Sequence, residues 1–307
     1  MKLCPPLLMF GWVKTMIPQN RETVKKHLAQ IHIAVFLFGL AGLFGKLIVL
    51  PAAIIVLGRV FFGSISLYII MKLMGQKLGM GSWRAYGILS VLGVILATHW
   101  LTFFQSIQVS TVAIGLLTYS VFPIFTAFLE PLFFKEKLTL RDVLLALITV
   151  AGVALVIPEF KLENKVTQGV LWGIASGLSF AFLSILNRKY VRTYSSLTLA
   201  YYQDLVATVV LLPFLFVLKP VFTTQDIWLL VLLGVVFTAF SHTMFINGLK
   251  SVKAKTASII ASLEPVYGIA AAALLLQEFP EWRVLLGGLI ILSATAYVTL
   301  VPAKRKG

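Results

Sequence analysis

Acidic residues are scarce in this chain. It holds 11 Asp and Glu against 26 Lys and Arg in 307 residues, and charged residues make up only 12% of it. A soluble domain carries about 25%. Hydrophobic residues reach 59% and the mean hydropathy is +0.97. A soluble core this apolar would lack polar residues to cover it. The composition therefore describes an all-α integral membrane protein that crosses the bilayer many times.

Cysteine is limited to Cys4, which excludes an internal disulfide. The four histidines, His27, His32, His99 and His242, are scattered and leave no metal-ligand spacing. No metal and no cofactor is expected. GxSxG, HExxH and paired aspartates are missing, so the chain is not read as an enzyme. No GxxxxGK[ST] loop is present to drive movement by nucleotide hydrolysis.

The net charge is +15. The basic residues sit in short loops between apolar runs, and no RNA-binding signature accompanies them. The charge is assigned to membrane topology and not to nucleic acid. The expected partners are the lipid bilayer and a small-molecule substrate, with protons as a candidate coupling ion, in a monomer or a homodimer.

A spanning helix needs about 20 mostly apolar residues. Ten candidates follow: 29–50, 52–73, 84–105, 109–133, 140–158, 168–188, 197–218, 226–248, 254–277 and 282–302. With the N-terminus inside, twenty basic residues fall on inner segments and four on outer ones, Lys161, Lys165, Lys219 and Arg283. Lys46 and Arg59 lie within spans. This split predicts that both termini are cytoplasmic, and a bacterial inner membrane is the expected location. Residues 1–27 read as a cytoplasmic tail, with Met16 an alternative start. "MKLCPPLLMFGWVKT" makes a poor signal peptide, because two prolines interrupt it.

Shifted by 142 positions, part of the sequence matches itself. Ser120 meets Ser262, Pro123 meets Pro265, Glu136 meets Glu278 and Arg141 meets Arg283. The repeat unit holds five spans, an odd number, so the second copy would enter the membrane inverted. Inverted repeats bind substrate where the halves meet and expose it to each side in turn. The boundaries expected are 28–158 and 159–303, followed by a basic tail at 304–307.

The segments "LLTYSVFPIFTAFLEPLFFKEKLTLRDVLLALITVAGVALV" (116–156) and "SIIASLEPVYGIAAAALLLQEFPEWRVLLGGLIILSATAYV" (258–298) carry a resemblance. Each has a Pro in its fourth helix, a Glu at that helix's end, and a polar turn into a small-residue-rich fifth helix. "GIASGLSFAFLSILNRKY" (173–190) adds a sixth helix with a basic exit. Together they resemble a ten-helix EamA-type member of the drug/metabolite transporter superfamily. Ser293 and Ala294 depart from the small pair that Ala151 and Gly152 provide. The resemblance implies a secondary transporter of a small organic metabolite. Export of an amino acid or related compound is the expectation. A channel, a membrane assembly factor, or a sugar-phosphate or nucleotide-sugar carrier of the same superfamily are the alternatives.

Ionisable groups at membrane depth are functional candidates by default. Arg59 stands about 12 Å into its helix. It could clamp a substrate carboxylate, or pair with Asp204 or Glu264. Glu264 lies roughly 14 Å from the cytoplasmic end of its helix, and its repeat mate is Phe122, so the scaffold does not require the carboxylate. It reads as a partner to Arg59 or as a substrate or proton site. Lys46 and Asp204 read as a gate or ion pair, with Arg188 and Arg192 as other partners for Asp204. Trp100, Tyr119, Tyr202, Gln203, His242 and Asn247 are the further substrate-binding candidates. His99 and Trp100 also read as interfacial anchors. Pro123 and Pro265 read as matched kinks that bend two helices around a central path.

Overall fold

The computed structural model describes residues 21–76, 78–134, 138, 140–159, 161–252 and 254–300. Residues 1–20 of the expected tail at 1–27, the expected tail at 304–307, Cys4 and the repeat mate Glu136 lie outside these.

Fourteen α-helices and one π-helical segment follow one another: α1 (Arg21–Ala41), α2 (Phe44–Leu47), α3 (Ala52–Leu73), α4 (Trp83–Val109), α5 (Val112–Tyr119), α6 (Phe122–Phe134), α7 (Leu140–Val156), α8 (Lys165–Tyr190), α9 (Ser196–Leu218), α10 (Thr224–Gly234), the π-helix Val235–Phe240, α11 (Ser241–Gly248), α12 (Ala254–Ala261), α13 (Glu264–Leu275) and α14 (Trp282–Leu300). No strand occurs among the described residues. Among the described residues, seven helical stretches are long and apolar enough to cross a membrane: 22–47, 52–73, 83–109, 112–133, 165–190, 196–218 and 224–248. Asp142–Val156, Glu264–Leu275 and Trp282–Ala294 are shorter apolar helices. Hydrophobic residues face outward on most of them, among them Phe36, Ile69, Val91 and Phe216, as lipid-facing helices require.

Several starts carry conventional caps. Ser82, Thr111 and Ser195 each accept a backbone N–H from the first turn of the following helix, and Thr223 closes a capping box with Asp226. Two spans break instead of bending. The first breaks at Ser120 and Val121, and Pro123 then becomes the second residue of α6. The second breaks at Ser262 and Leu263, and Pro265 becomes the second residue of α13. A missing N–H costs nothing there, because a helix's first N–H groups have no intrahelical acceptor. At both expected kinks the helix is interrupted by a two-residue turn.

The interruptions fall at matching places. α5 starts at 112 and α12 at 254, α6 at 122 and α13 at 264, α7 at 140 and α14 at 282. Each pair is offset by 142, the shift at which the sequence matches itself. Glu278 adds a contact between the two regions: its Oε1 accepts the Val112 N–H that opens α5, at 2.7 Å. A carboxylate suits a helix N-terminus.

Close helix approach rests on glycine. A Cβ on Gly177 of α8 would stand 2.8 Å from the Tyr119 carbonyl, and Gly169 and Gly173 meet Ser110 and Thr118 on the same face. A Cβ on Gly39 of α1 would stand 2.7 Å from the Glu264 carbonyl. In lipid, such van der Waals contact holds helices together. These two contacts seat α8 and α1 directly on the two breaks.

Candidate functional site

Arg59 lies in the first half of α3 and is only 2% exposed. Its Nε donates to Thr238 Oγ1 at 3.0 Å, and Nη2 donates to the Phe237 carbonyl at 3.4 Å. Both acceptors belong to the π-helix, whose wider turn occurs often at functional sites. Thr238 in turn donates to the Leu233 carbonyl, five residues back, at 2.8 Å. The guanidinium carbon lies 3.7 Å from the Trp100 ring centroid and 5.3 Å from that of Phe104. A cation over an indole face is favourable, by about 2 kcal/mol when desolvated. Arg59 is therefore held by a hydroxyl, a carbonyl and two ring faces, with no carboxylate bonded to it among the described residues.

Glu264 is the first residue of α13 and 4% exposed. Tyr119, the last residue of α5, lies close enough to feel its charge. One carboxylate oxygen, Oε2, has no hydrogen-bond partner among the described residues. Arg59 feels the charges of both Asp204 and Glu264, yet no ion pair within 4.0 Å joins it to either among the described residues.

Arg59, His99, Trp100, Tyr119, His242 and Glu264 line one cavity of about 20 Å³, walled also by Phe38, Phe103 and Phe180. A single water needs roughly 10–15 Å³ of such space, so the cavity is too small for a metabolite in this conformation. Its aromatic walls are continuous. Tyr119 stacks on Phe122 at 5.1 Å, Phe180 meets His99 at 4.8 Å, and Trp100 meets His242 edge-on at 5.4 Å. His99 Nδ1 is 3.1 Å from the Ser176 carbonyl and 2.9 Å from the Ser176 hydroxyl. His99 and Trp100 are 4% and 6% exposed. They stand in the protein interior, and the anchor reading fails for both.

The other candidates lie outside this cavity. Tyr202 donates to the Leu78 carbonyl. Gln203 donates to Asn187 at 2.7 Å. Asn247 bridges Ser196 and Gln30 at 3.3 and 2.9 Å. Lys46 donates to the Ser110 carbonyl at 2.7 Å and is half-buried. Arg188 pairs with Glu130 at 2.9 Å. Asp204 is 0% exposed, and neither carboxylate oxygen has a hydrogen-bond partner among the described residues. Its Oδ1 lies 4.0 Å from His242 Nδ1. Sequence reasoning missed Thr238, a lone hydroxyl in "GVVFTAF", along with Phe38 and Phe180, which carried no signal beyond being aromatic. No group of three or more His, Cys, Asp or Glu could hold a metal among the described residues.

Many apolar helices pack around a charged and aromatic cavity, the arrangement of a polytopic membrane protein. The profile of the EamA-like transporter family matches residues 26–157 and again 167–300, and the chain belongs to that family. It is an EamA-type transporter of small molecules. An uncharacterized transporter, YxxF, of Bacillus subtilis (strain 168) is 26% identical over 281 residues, which cover 90% of this chain and 89% of that protein. An S-adenosylmethionine uptake transporter of Rickettsia felis is 28% identical over 215 residues, 69% of each chain. The pseudopaline exporter CntI of Pseudomonas aeruginosa is 24% identical over 246 residues, 80% of this chain and 85% of that one. A crystal structure superposes with a TM-score of 0.66 at 16% identity, covering 90% of this chain and 97% of that one, a likeness of fold alone.

Proposed function

We propose that the chain is a secondary transporter that moves a zwitterionic metabolite, an amino acid or related compound, by alternating access at the Arg59–Glu264 cavity. One observation carries this reading: a guanidinium and a carboxylate from distant segments share one aromatic-lined cavity. Arg59 would hold the solute carboxylate, Glu264 its ammonium group, and the rings around Trp100 its apolar part. The small volume fits an occluded conformation, and opening requires the rings to separate.

Ten spans in two inverted five-helix halves are the architecture we propose, with both termini in the cytoplasm of a bacterial cell. The two family matches and the 142-residue offset between helix starts support it. Relatives named for S-adenosylmethionine uptake and for pseudopaline export fit small organic solutes moving in either direction.

The test is reconstitution into liposomes and uptake of labelled amino acids and S-adenosylmethionine, with and without a pH gradient. Saturable uptake and counterflow are expected. Full-rate transport by Arg59→Ala or Glu264→Gln protein that melts like wild type would overturn the site.

A further inference from the structure

Asp204 is a fully buried acid that the cavity does not use. It lies in α9, beside His242, and is not among the cavity's lining residues. Gly63 on α3 makes room for it: a Cβ there would stand 2.8 Å from Asp204 Oδ2. Both Asp204 oxygens and His242 Nδ1 lack hydrogen-bond partners among the described residues, and Oδ1 and Nδ1 lie 4.0 Å apart. A buried carboxylate without hydrogen bonds is costly. Three unpartnered polar atoms gathered in one place therefore call for a positive occupant. The gap is about 1 Å longer than a hydrogen bond.

The surrounding elements supply few charges. α3 presents Arg59, whose charge acts on Asp204. α11 presents His242. α4 presents His99 one ring further on, where it feels both Arg59 and His242. On α9 itself, Tyr201 and Tyr202 pack against Tyr68 and Tyr86. On α8, Asn187 faces Gln203 and is neutral.

We infer that Asp204 and His242 form a proton-binding site beside the solute cavity, and that Arg59 couples the two. A proton that enters on His242 passes from Nδ1 to Asp204 Oδ1. The imidazole is left neutral and the carboxyl neutral. Arg59 feels two carboxylates, Asp204 in this site and Glu264 in the cavity. A solute carboxylate that pairs with Arg59 in the cavity takes up the counter-charge of Asp204, and a proton replaces it. Solute and proton are then bound together. The coupling is co-transport, which imports solute under an inward proton gradient and opposes the export expected from the resemblance. The solute half of this inference rests on the proposed cavity; the proton half does not.

The test has two arms, both on the full chain in liposomes. Infrared difference spectra are titrated with pH in the absence of any solute. A carboxyl band that disappears in Asp204→Asn, persists in Glu264→Gln, and shifts its midpoint in His242→Gln is expected. A titrating band indifferent to Asp204→Asn, or none at all, overturns the site. If Asp204→Asn does not fold, an unshifted midpoint in His242→Gln overturns it. The second arm uses labelled phenylalanine and S-adenosylmethionine as probes. Acid outside should drive accumulation, and Asp204→Asn should lose about tenfold of it, a typical coupling between two sites. Counterflow without a gradient should survive. Undiminished gradient-driven uptake in Asp204→Asn, or accumulation driven by acid inside, overturns the coupling. Wild type that moves neither probe removes the zwitterion cavity, and the infrared arm still decides the proton site.

Discussion

Tyr119 ends the first broken helix, Glu264 begins the second, and both side chains line the same cavity. The equivalent interruptions in the two matched regions thus meet at the wall of that cavity. Tyr119→Phe removes a hydroxyl from the wall that also holds a buried carboxylate. That should cost about 1–3 kcal/mol, read as a lower melting temperature, and it should slow counterflow several-fold.

Arg59→Lys keeps the charge and loses the planar fork. The Thr238 and Phe237 acceptors and the Trp100 face are all matched to a guanidinium. Hydrogen bonds to charged groups are worth about 1.5–3 kcal/mol, so uptake should fall about ten- to a hundredfold. Concentration dependence of uptake in liposomes separates weaker binding from slower turnover.

Thr238→Val removes the oxygen that Arg59 Nε donates to and preserves the shape of the side chain. A loss of about tenfold in transport is expected, consistent with one charge-assisted bond. Thr238→Ser keeps the hydroxyl and should retain most activity. Equal activity in both variants would show that Thr238 does not position Arg59.

Two glycines should respond oppositely to alanine. Gly39→Ala drives a methyl group to 2.7 Å from the Glu264 carbonyl. Such overpacking costs about 1–3 kcal/mol, and here it should also slow transport. A methyl group on Gly87 in α4 would meet nothing within 4 Å, and Gly87→Ala should stabilise by about 0.5–1 kcal/mol. Thermal melts of the purified variants check both.

Much of the helical order was legible in the sequence, because an apolar run of about 20 residues matches the thickness of a bilayer and little else. Arg59 and Glu264 stood out as charges in such runs, and the cavity gathers both. Tyr202, Gln203 and Asn247 were equally polar, but each bonds a partner away from that cavity. Residue type does not reveal which side of a helix faces the centre. The π-helix was invisible because "VVFTAF" has no breaker to mark it. Each of the matched prolines stands second in a helix, because a proline fits a helix start as well as a bend.

The bond between Glu278 and Val112 has a mechanical consequence. Val112 opens α5 early in the chain, and its N–H finds its acceptor 166 positions later. Lys46 lies close enough to feel the Glu278 charge and is fixed to Ser110, two residues before Val112. Pulling this corner apart would strand a donor and an acid at once. A motion that separates the two regions must therefore either break this clasp or turn about it.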